Sequence, residues 1–142
     1  MAEQDQITVA REYVESFTAG DWSRLRATLA PDAVYEEPAT HRRVQGADSI
    51  VEAWQGWRQA FPDAKGTVTN AVAGDNQGVL EVAWEGTQNG PPAGAGVTIP
   101  PSGKRVQVGG GMIFTFQGDK IKELHNYFDL MTILQQIGAS AP

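Results

Sequence analysis

The sequence contains no cysteine and only two histidines, His41 and His125, among its 142 residues. A chain without cysteine has no disulfide framework, no thiol nucleophile and no thiolate metal site. Neither histidine has the close spacing to a second ligand that marks a zinc-binding helix, and no GxGxxG or P-loop pattern is present. We therefore predict that the protein works without a metal or nucleotide cofactor.

Basic residues are scarce: 11 Lys and Arg stand against 17 Asp and Glu, and the net charge is −6. Nucleic-acid binding requires clustered basic side chains, and the pair Arg42-Arg43 is too short for that. No apolar run has the length of about 20 residues that crosses a bilayer, and the first residues lack the pattern of a secretory signal. We expect a cytoplasmic protein with neither a nucleic-acid nor a membrane partner.

The first part of the chain has helical periodicity, with apolar residues spaced three and four apart. One stripe leads to Gly20, a second runs from Trp22 through Leu29 to Pro31, and a third follows Gly46 and ends at Pro62. The members of the first and third stripes are Ile7, Ala10, Val14 and Phe17, and Ile50, Trp54, Trp57 and Phe61. Three amphipathic helices are predicted.

From Lys65 onward the apolar pattern has period two, which is typical of strands. The predicted strands are 33–37, 66–73, 79–87, 106–117 and 120–128, with a loop over 89–103 and a last helix over 130–137 that Gly138 closes. Helices followed by antiparallel strands are typical of an α+β domain, and Gly109 to Gly111 allow the sheet to bend. We predict one domain, 1–142, in which helices cover the concave face of a strongly curved antiparallel sheet.

Several motifs occur together over nearly the whole chain. They are Tyr35-Glu36-Glu37-Pro38, Ala60-Phe61-Pro62-Asp63, Trp84-Glu85-Gly86-Thr87, Pro101-Ser102-Gly103-Lys104, Tyr127-Phe128-Asp129 and Gln135-Gln136-Ile137-Gly138. In this order and spacing the chain resembles the SnoaL-like polyketide cyclase and ester cyclase family of the NTF2-like superfamily. It differs from the usual family pattern at His125 and Gln88.

The resemblance implies an NTF2-like (cystatin-like) cone, commonly a homodimer, around a pocket for a small hydrophobic molecule. Family cyclases close a polyketide ester by an intramolecular aldol reaction without a cofactor. Their general acid/base aspartate matches Asp129.

Alternation along the last strand places Glu123, His125, Tyr127 and Asp129 on one face, which is either wetted or lines a polar cavity. At about 3.3 Å per residue, His125 and Asp129 lie about 13 Å apart, so a direct dyad between them is not expected. We hypothesise that Asp129 moves the proton while Tyr127 or His125 steadies an enolate oxygen. An apolar pocket would bring the carboxylate's basicity closer to working pH.

The remaining candidates are substrate-binding residues. Trp54, Trp57, Trp84, Met112 and Phe114 are candidate walls for a flat ligand, although core packing explains each of them equally well. The polar candidates are Tyr35, Glu37 and Gln88, of which Glu37 is also typical of a solvated strand edge.

Three functions remain open at this point. The first is a cyclase or isomerase that moves a proton next to a carbonyl, and the second is an epoxide-hydrolase-like enzyme in which an acid activates water. The third is a non-catalytic ligand-binding or dimerisation module. An enclosed Asp129 favours the first, an Asp129 bridged to water the second, and an Asp129 exposed to solvent the third.

Overall fold

The computed structural model of the chain describes residues 3–90 and 100–138. Within them lie four α-helices and a six-stranded sheet. The helices are α1 (Glu3–Ala19), α2 (Trp22–Ala27), α3 (Ala47–Ala60) and α4 (Leu130–Ile137). The strands are β1 (Leu29–Glu37), β2 (Arg42–Gln45), β3 (Lys65–Gly74), β4 (Gln77–Thr87), β5 (Arg105–Gln117) and β6 (Lys120–Phe128). None of the helices described is long and apolar enough to cross a membrane.

The strand order is β2-β1-β6-β5-β4-β3, and the sheet is curled without closing. Strands β3 to β6 form an antiparallel meander, as the period-two pattern predicts. The expectation of a wholly antiparallel sheet is wrong for one pair, because β1 and β6 run parallel. A parallel pair needs a long crossover, which the chain between β1 and β6 supplies. The sheet is therefore mixed.

The predicted apolar stripes form the contact between helices and sheet. Helix α1 packs on β3, and α3 packs on β1. The buried members of the two stripes are Ala10, Val14, Phe17, Ile50, Trp54, Trp57 and Phe61. These helices cover one face of the curled sheet, so the hydrophobic core lies between the helical layer and that face.

The stretch after the second helix differs from the prediction. Helix α2 ends at Ala27, and Leu29 begins β1 instead of extending the helical stripe. The backbone N–H of Ile121 donates to the carbonyl of Thr28 at 2.8 Å, which ties this segment to β6. His41 takes a left-handed conformation (φ 56°), after which Arg42 begins the edge strand β2.

Glycine is required where β5 passes closest to β6. A Cβ on Gly110 would lie 2.6 Å from the carbonyl oxygen of Tyr127, closer than real Cβ contacts allow. The neighbouring Gly109 and Gly111 have open space at their Cβ positions. The predicted loop over 89–103 lies largely outside the described residues, which resume at Pro100.

Candidate active site

An apolar pocket lies between α3 and the covered face of the sheet, with a volume of about 70 Å³. Helix α4 contributes Ile133 to its wall. The lining residues are Phe17, Trp54, Trp57, Phe61, Ala64, Trp84, Glu85, Gly86, Val106, Val108, Asn126, Phe128 and Ile133. Among them Glu85 is the ionisable residue, and its carboxylate is partly exposed and pairs with Arg105 at 3.0 Å. The pocket is therefore suited to a mainly apolar ligand.

Three of the predicted wall residues line the pocket: Trp54, Trp57 and Trp84. The Trp54 ring lies 5.8 Å from the Trp84 ring, and the Trp57 ring lies 5.5 Å from the Phe128 ring, measured between centroids. Indole rings restrained by such neighbours give flat, rigid walls that cost little entropy when a ligand binds.

Met112 and Phe114, also predicted as walls, lie outside the lining. Both are fully buried, and Phe114 packs against Tyr13 and Phe116 at centroid distances of 6.0 and 6.2 Å. They face the same side of β5 as the pocket wall but lie where the core is filled by other side chains. Core packing is the interpretation that the structure supports for these two residues.

Asn126 is the polar residue that lies deepest in the pocket wall. Its side chain projects from β6 between Leu124 and Phe128 and is 3% exposed. Its Nδ2 donates to the hydroxyl of Tyr35 at 3.1 Å. Its Oδ1 is buried and has no hydrogen-bond partner among the described residues. An unpaired amide oxygen in an apolar wall costs free energy that a ligand donor could recover.

Strand alternation puts Asn126 on the face opposite Tyr127, which is the buried face, but Asn126 is not among the site residues predicted from the sequence. The signal was present, because an amide that alternates with Leu124 and Phe128 has to be buried with them. Buried amides are hydrogen-bonded unless something else requires the free group. The predicted catalytic residues His125 and Tyr127 lie on the opposite, outer face.

A buried carboxylate network lies behind Asn126. Glu37 has no exposed surface, and its carboxylate accepts hydrogen bonds from four donors. Thr40 Oγ1 donates at 2.8 Å, Trp57 Nε1 at 3.0 Å and Arg42 Nη2 at 3.1 Å. The fourth donor is the hydroxyl of Tyr35. Guanidinium and neutral donors together stabilise a buried negative charge.

Tyr35 and Glu37 were predicted as substrate-binding residues, and the structure places both behind the lining. The two residues lie on one face of β1, and both side chains are fully buried. Burial, and then the Glu37 charge, raise the pKa of Tyr35 well above its usual value. Tyr35 therefore stays a neutral phenol that donates to Glu37 and accepts from Asn126.

Two further buried polar atoms near these aromatic rings lack partners among the residues described. They are Trp54 Nε1 and the hydroxyl of Tyr13. The two rings are in contact, with centroids 5.5 Å apart. Trp54 also lines the pocket, so its N–H is a candidate donor to a ligand oxygen.

The expectation that Asp129 lies in an apolar hollow is wrong. Asp129 is exposed and caps α4: its carboxylate accepts from the Thr132 hydroxyl at 2.8 Å and from the Thr132 N–H at 3.3 Å. These bonds lower the pKa of Asp129 below its usual value, and the bond from the Thr132 hydroxyl has the larger effect. β6 ends at Phe128, so strand alternation no longer sets the direction of this side chain. The catalytic role stays a prediction, without support from this placement.

His125 and Tyr127 lie on the outer face of the sheet, with Tyr127 44% exposed. His125 Nε2 is 2.9 Å from a Glu123 oxygen and 3.6 Å from a Glu36 oxygen, and Nδ1 is 3.4 Å from the Tyr127 hydroxyl. The ligand atoms of Glu36, Glu123 and His125 are close enough to surround a metal ion. However, Arg43 already pairs with Glu36 at 3.3 Å, and the sheet separates this cluster from the pocket.

Gln88, predicted as a substrate-binding residue, links the backbone at Gly90 to the backbone at Ser102. It is fully buried, its Nε2 donates to the carbonyl of Gly90 at 2.6 Å, and its Oε1 accepts from the N–H of Ser102 at 2.7 Å. Both ends of the amide are therefore used by the backbone. Gln88 is a structural residue in this arrangement.

The fold has many counterparts among solved structures. A protein from Jannaschia sp., proposed to be a SnoaL-like polyketide cyclase, is 21% identical, with a TM-score of 0.86 over 97% of this chain and 94% of that one. The proposed polyketide cyclase IdmH from Streptomyces antibioticus is 24% identical, with a TM-score of 0.80 over 94% and 99%. A protein of ketosteroid isomerase-like fold from Catenulispora acidiphila is 18% identical, with a TM-score of 0.79 over 94% of both chains. At these identities the similarity establishes the NTF2-like fold alone.

No curated protein sequence matches this chain significantly. The family model described as SnoaL-like polyketide cyclase matches residues 7–137, which is almost the entire chain and includes every element of the pocket. The chain belongs to the SnoaL-like polyketide cyclase family.

Proposed function

We propose that this protein is a small-molecule enzyme of the cyclase or isomerase type, acting on a flat, mainly apolar carbonyl compound that enolises. The observation that carries the proposal is Asn126 Oδ1, which has no partner among the described residues and belongs to a mainly apolar pocket wall. A carbonyl compound acquires a hydroxyl when it enolises, and that hydroxyl can donate to Oδ1. The resulting hydrogen bond exists with the enol and not with the ketone.

Stabilising a neutral enol suits this pocket better than stabilising an enolate. A negative charge in an apolar environment without an opposing charge is costly, whereas a hydrogen-bonded hydroxyl is not. In the proposed reaction the α-carbon loses its proton to water at the open end of the pocket, and water returns a proton to the carbonyl oxygen. In the proposed complex Asn126 then holds the enol hydroxyl, and the N–H of Trp54, which has no partner among the described residues, donates to a second oxygen.

Orientation supplies the other part of the proposed catalysis. The indole rings of Trp54, Trp57 and Trp84 restrict a flexible substrate to flat arrangements between them. Holding two reacting ends of one molecule together can contribute several kcal/mol, up to about 7–11 in ideal cases. An intramolecular ring closure benefits directly, because its barrier includes the entropy of bringing the chain ends together.

A non-catalytic ligand-binding module is the second candidate. The exposed position of Asp129 favours it, since the proton-transfer group predicted from the sequence lies outside the pocket. An epoxide-hydrolase-like reaction has less support. It needs an acid that activates water next to the ligand. The carboxylate of Glu37 is occupied by four donors behind the wall, and that of Glu85, in the lining, pairs with Arg105.

The test is solvent deuterium exchange at the α-carbon of an enolisable aromatic 1,3-diketone, followed by NMR with and without protein. Wild-type protein should accelerate the exchange, and Asn126→Leu, which keeps the size of the side chain, should remove most of the acceleration. Tyr127→Phe, on the outer face of the same strand, is the matched control and should behave as wild type. Binding without acceleration would establish the binding module instead, and absence of binding would refute both candidates.

We also propose that the protein is a homodimer formed through the outer face of the sheet. Val72, Val79 and Ile113 are 55%, 37% and 38% exposed, and strand register places them side by side across β3, β4 and β5. His125 continues the row on β6. A row of exposed apolar side chains on a sheet face favours association with a second surface.

A further inference from the structure

The pocket wall has a defined hydrogen-bonding direction, which the buried network behind it sets. Asn126 can present either its oxygen or its NH2 group to a ligand, since the two ends of an amide have nearly the same shape. Which end faces the ligand depends on what the other end contacts. In this structure the other end contacts the hydroxyl of Tyr35.

The direction follows from one proton. The Tyr35 hydroxyl donates its single hydrogen to the carboxylate of Glu37, which can only accept. Tyr35 is then left with lone pairs and can only accept from Asn126. The NH2 of Asn126 therefore turns toward Tyr35, at 3.1 Å, and Oδ1 is left without a partner in the part of the chain that the structure describes.

The carboxylate is held in this accepting role by its surroundings. Arg42 Nη2 lies 3.1 and 3.2 Å from the two Glu37 oxygens, and Trp57 and Thr40 donate to it as well. Burial and the Glu37 charge keep Tyr35 protonated by raising its pKa. Glu37, Tyr35 and Asn126 are all buried, so bulk water does not compete for the hydrogen bonds that join them.

We propose that Glu37 and Tyr35 are specificity-determining positioning residues: through Asn126 they make the pocket select ligands that present a hydrogen-bond donor, such as an enol or phenol hydroxyl, over ligands that present only an acceptor. The inference rests on the proposed function, since it concerns the occupant of the same pocket. It adds the requirement for a hydrogen-bond donor on the ligand. It also names the residues that impose this requirement, Glu37 and Tyr35, neither of which touches the ligand.

A matched pair of probes isolates the donor. Indole and benzofuran have nearly the same shape, but indole carries an N–H donor where benzofuran carries an oxygen acceptor. Titration calorimetry gives the dissociation constant of each probe, and their ratio measures the preference for indole over benzofuran. The same ratio measured in Asn126→Leu corrects for the different solvation of the two probes. After this correction, wild-type protein should bind indole about tenfold more tightly than benzofuran. A tenfold difference is what one buried hydrogen bond contributes when its acceptor would otherwise have no partner.

Tyr35→Phe removes the hydroxyl and frees the amide of Asn126 to turn its NH2 toward the pocket. Benzofuran should then bind more tightly than it does to wild type, and the corrected preference for indole should fall to about threefold or less. A rise in affinity for one probe is an effect that general loosening of the fold does not produce. Tyr127→Phe is the matched control, because it removes a phenol hydroxyl from the outer face of the sheet.

Glu37→Gln, an almost isosteric change, tests whether the carboxylate of Glu37 sets the orientation of the Asn126 amide. A neutral amide at position 37 can donate to Tyr35, which can then donate to Asn126 Oδ1, so the preference for indole should again fall. Glu123→Gln, on the outer face, should leave it unchanged. If Glu37→Gln does not fold, Tyr35→Phe carries the test.

Equal binding of the two probes to wild type, after correction, would overturn the inference and leave the pocket proposal intact. An unchanged preference in Tyr35→Phe would overturn the roles of Tyr35 and Glu37. Failure of both probes to bind wild-type protein at millimolar concentration would overturn the proposed function together with the inference.

Discussion

Replacing Arg42 by Met tests whether the buried carboxylate of Glu37 depends on its one charged partner among the described residues. Glu37 is fully buried, and the Arg42 side chain is 18% exposed. The other three donors to Glu37 are neutral, so the variant leaves a buried negative charge without an opposing charge. Breaking a buried ion pair from one side costs about 3–5 kcal/mol, and the partial exposure of Arg42 places the expected loss near the lower end, about 3 kcal/mol.

The assay is urea unfolding monitored by tryptophan fluorescence. The unfolding midpoints are compared among variants whose free energy of unfolding depends on urea with the same slope. Arg43→Met is the matched control: its side chain is 60% exposed and it pairs with Glu36 on the surface, so a loss below about 1 kcal/mol is expected. Adding Glu37→Gln to Arg42→Met should restore part of the stability, because the remaining group is then neutral. A loss below about 1 kcal/mol in Arg42→Met, or a double variant less stable than Arg42→Met, would refute the account of the network.

Three further predictions concern other parts of the molecule. Asp129→Asn should retain turnover in the exchange assay, because Asn also caps helices and the group lies outside the pocket; loss of turnover with the fold intact would restore the role predicted from the sequence. Gly66→Ala should lower the free energy of unfolding by about 1–3 kcal/mol, since its Cβ would lie 2.6 Å from the Trp84 ring, whereas Gly109→Ala meets open space; equal thermal midpoints for both would contradict this. Ile113→Lys should convert the proposed homodimer to a monomer in light scattering after size exclusion, and an unchanged mass would place any interface elsewhere.

The elements of the fold could be predicted from local patterns, and their arrangement only in part. The stripe Ile50, Trp54, Trp57 and Phe61 predicts α3 because helical spacing and burial are properties of one short segment. The parallel pairing of β1 with β6 is a relation between distant segments, and neither segment's own pattern contains it. Leu29 fits a helical stripe and a strand equally well, so its place in β1 depends on the tertiary bond between Thr28 and Ile121.

The site shows the same limit. Alternation along β6 correctly separates Tyr127 from Asn126, but it does not say which face meets the helices. The family resemblance predicts Asp129 as the catalytic acid/base. This residue lies one position beyond the strand, where its carboxylate caps α4. The contact between Glu37 and Arg42 depends on the turn at His41, which brings β2 back along β1. Such a turn has little signal in composition or periodicity.

The most direct test of the central claim is a crystal structure with an enolised aromatic 1,3-diketone bound. The account predicts the ligand between the indole rings of Trp54 and Trp84, with its enol oxygen about 2.7 Å from Asn126 Oδ1. A ligand whose oxygen contacts Asp129 instead, or one that binds outside the pocket, would contradict it.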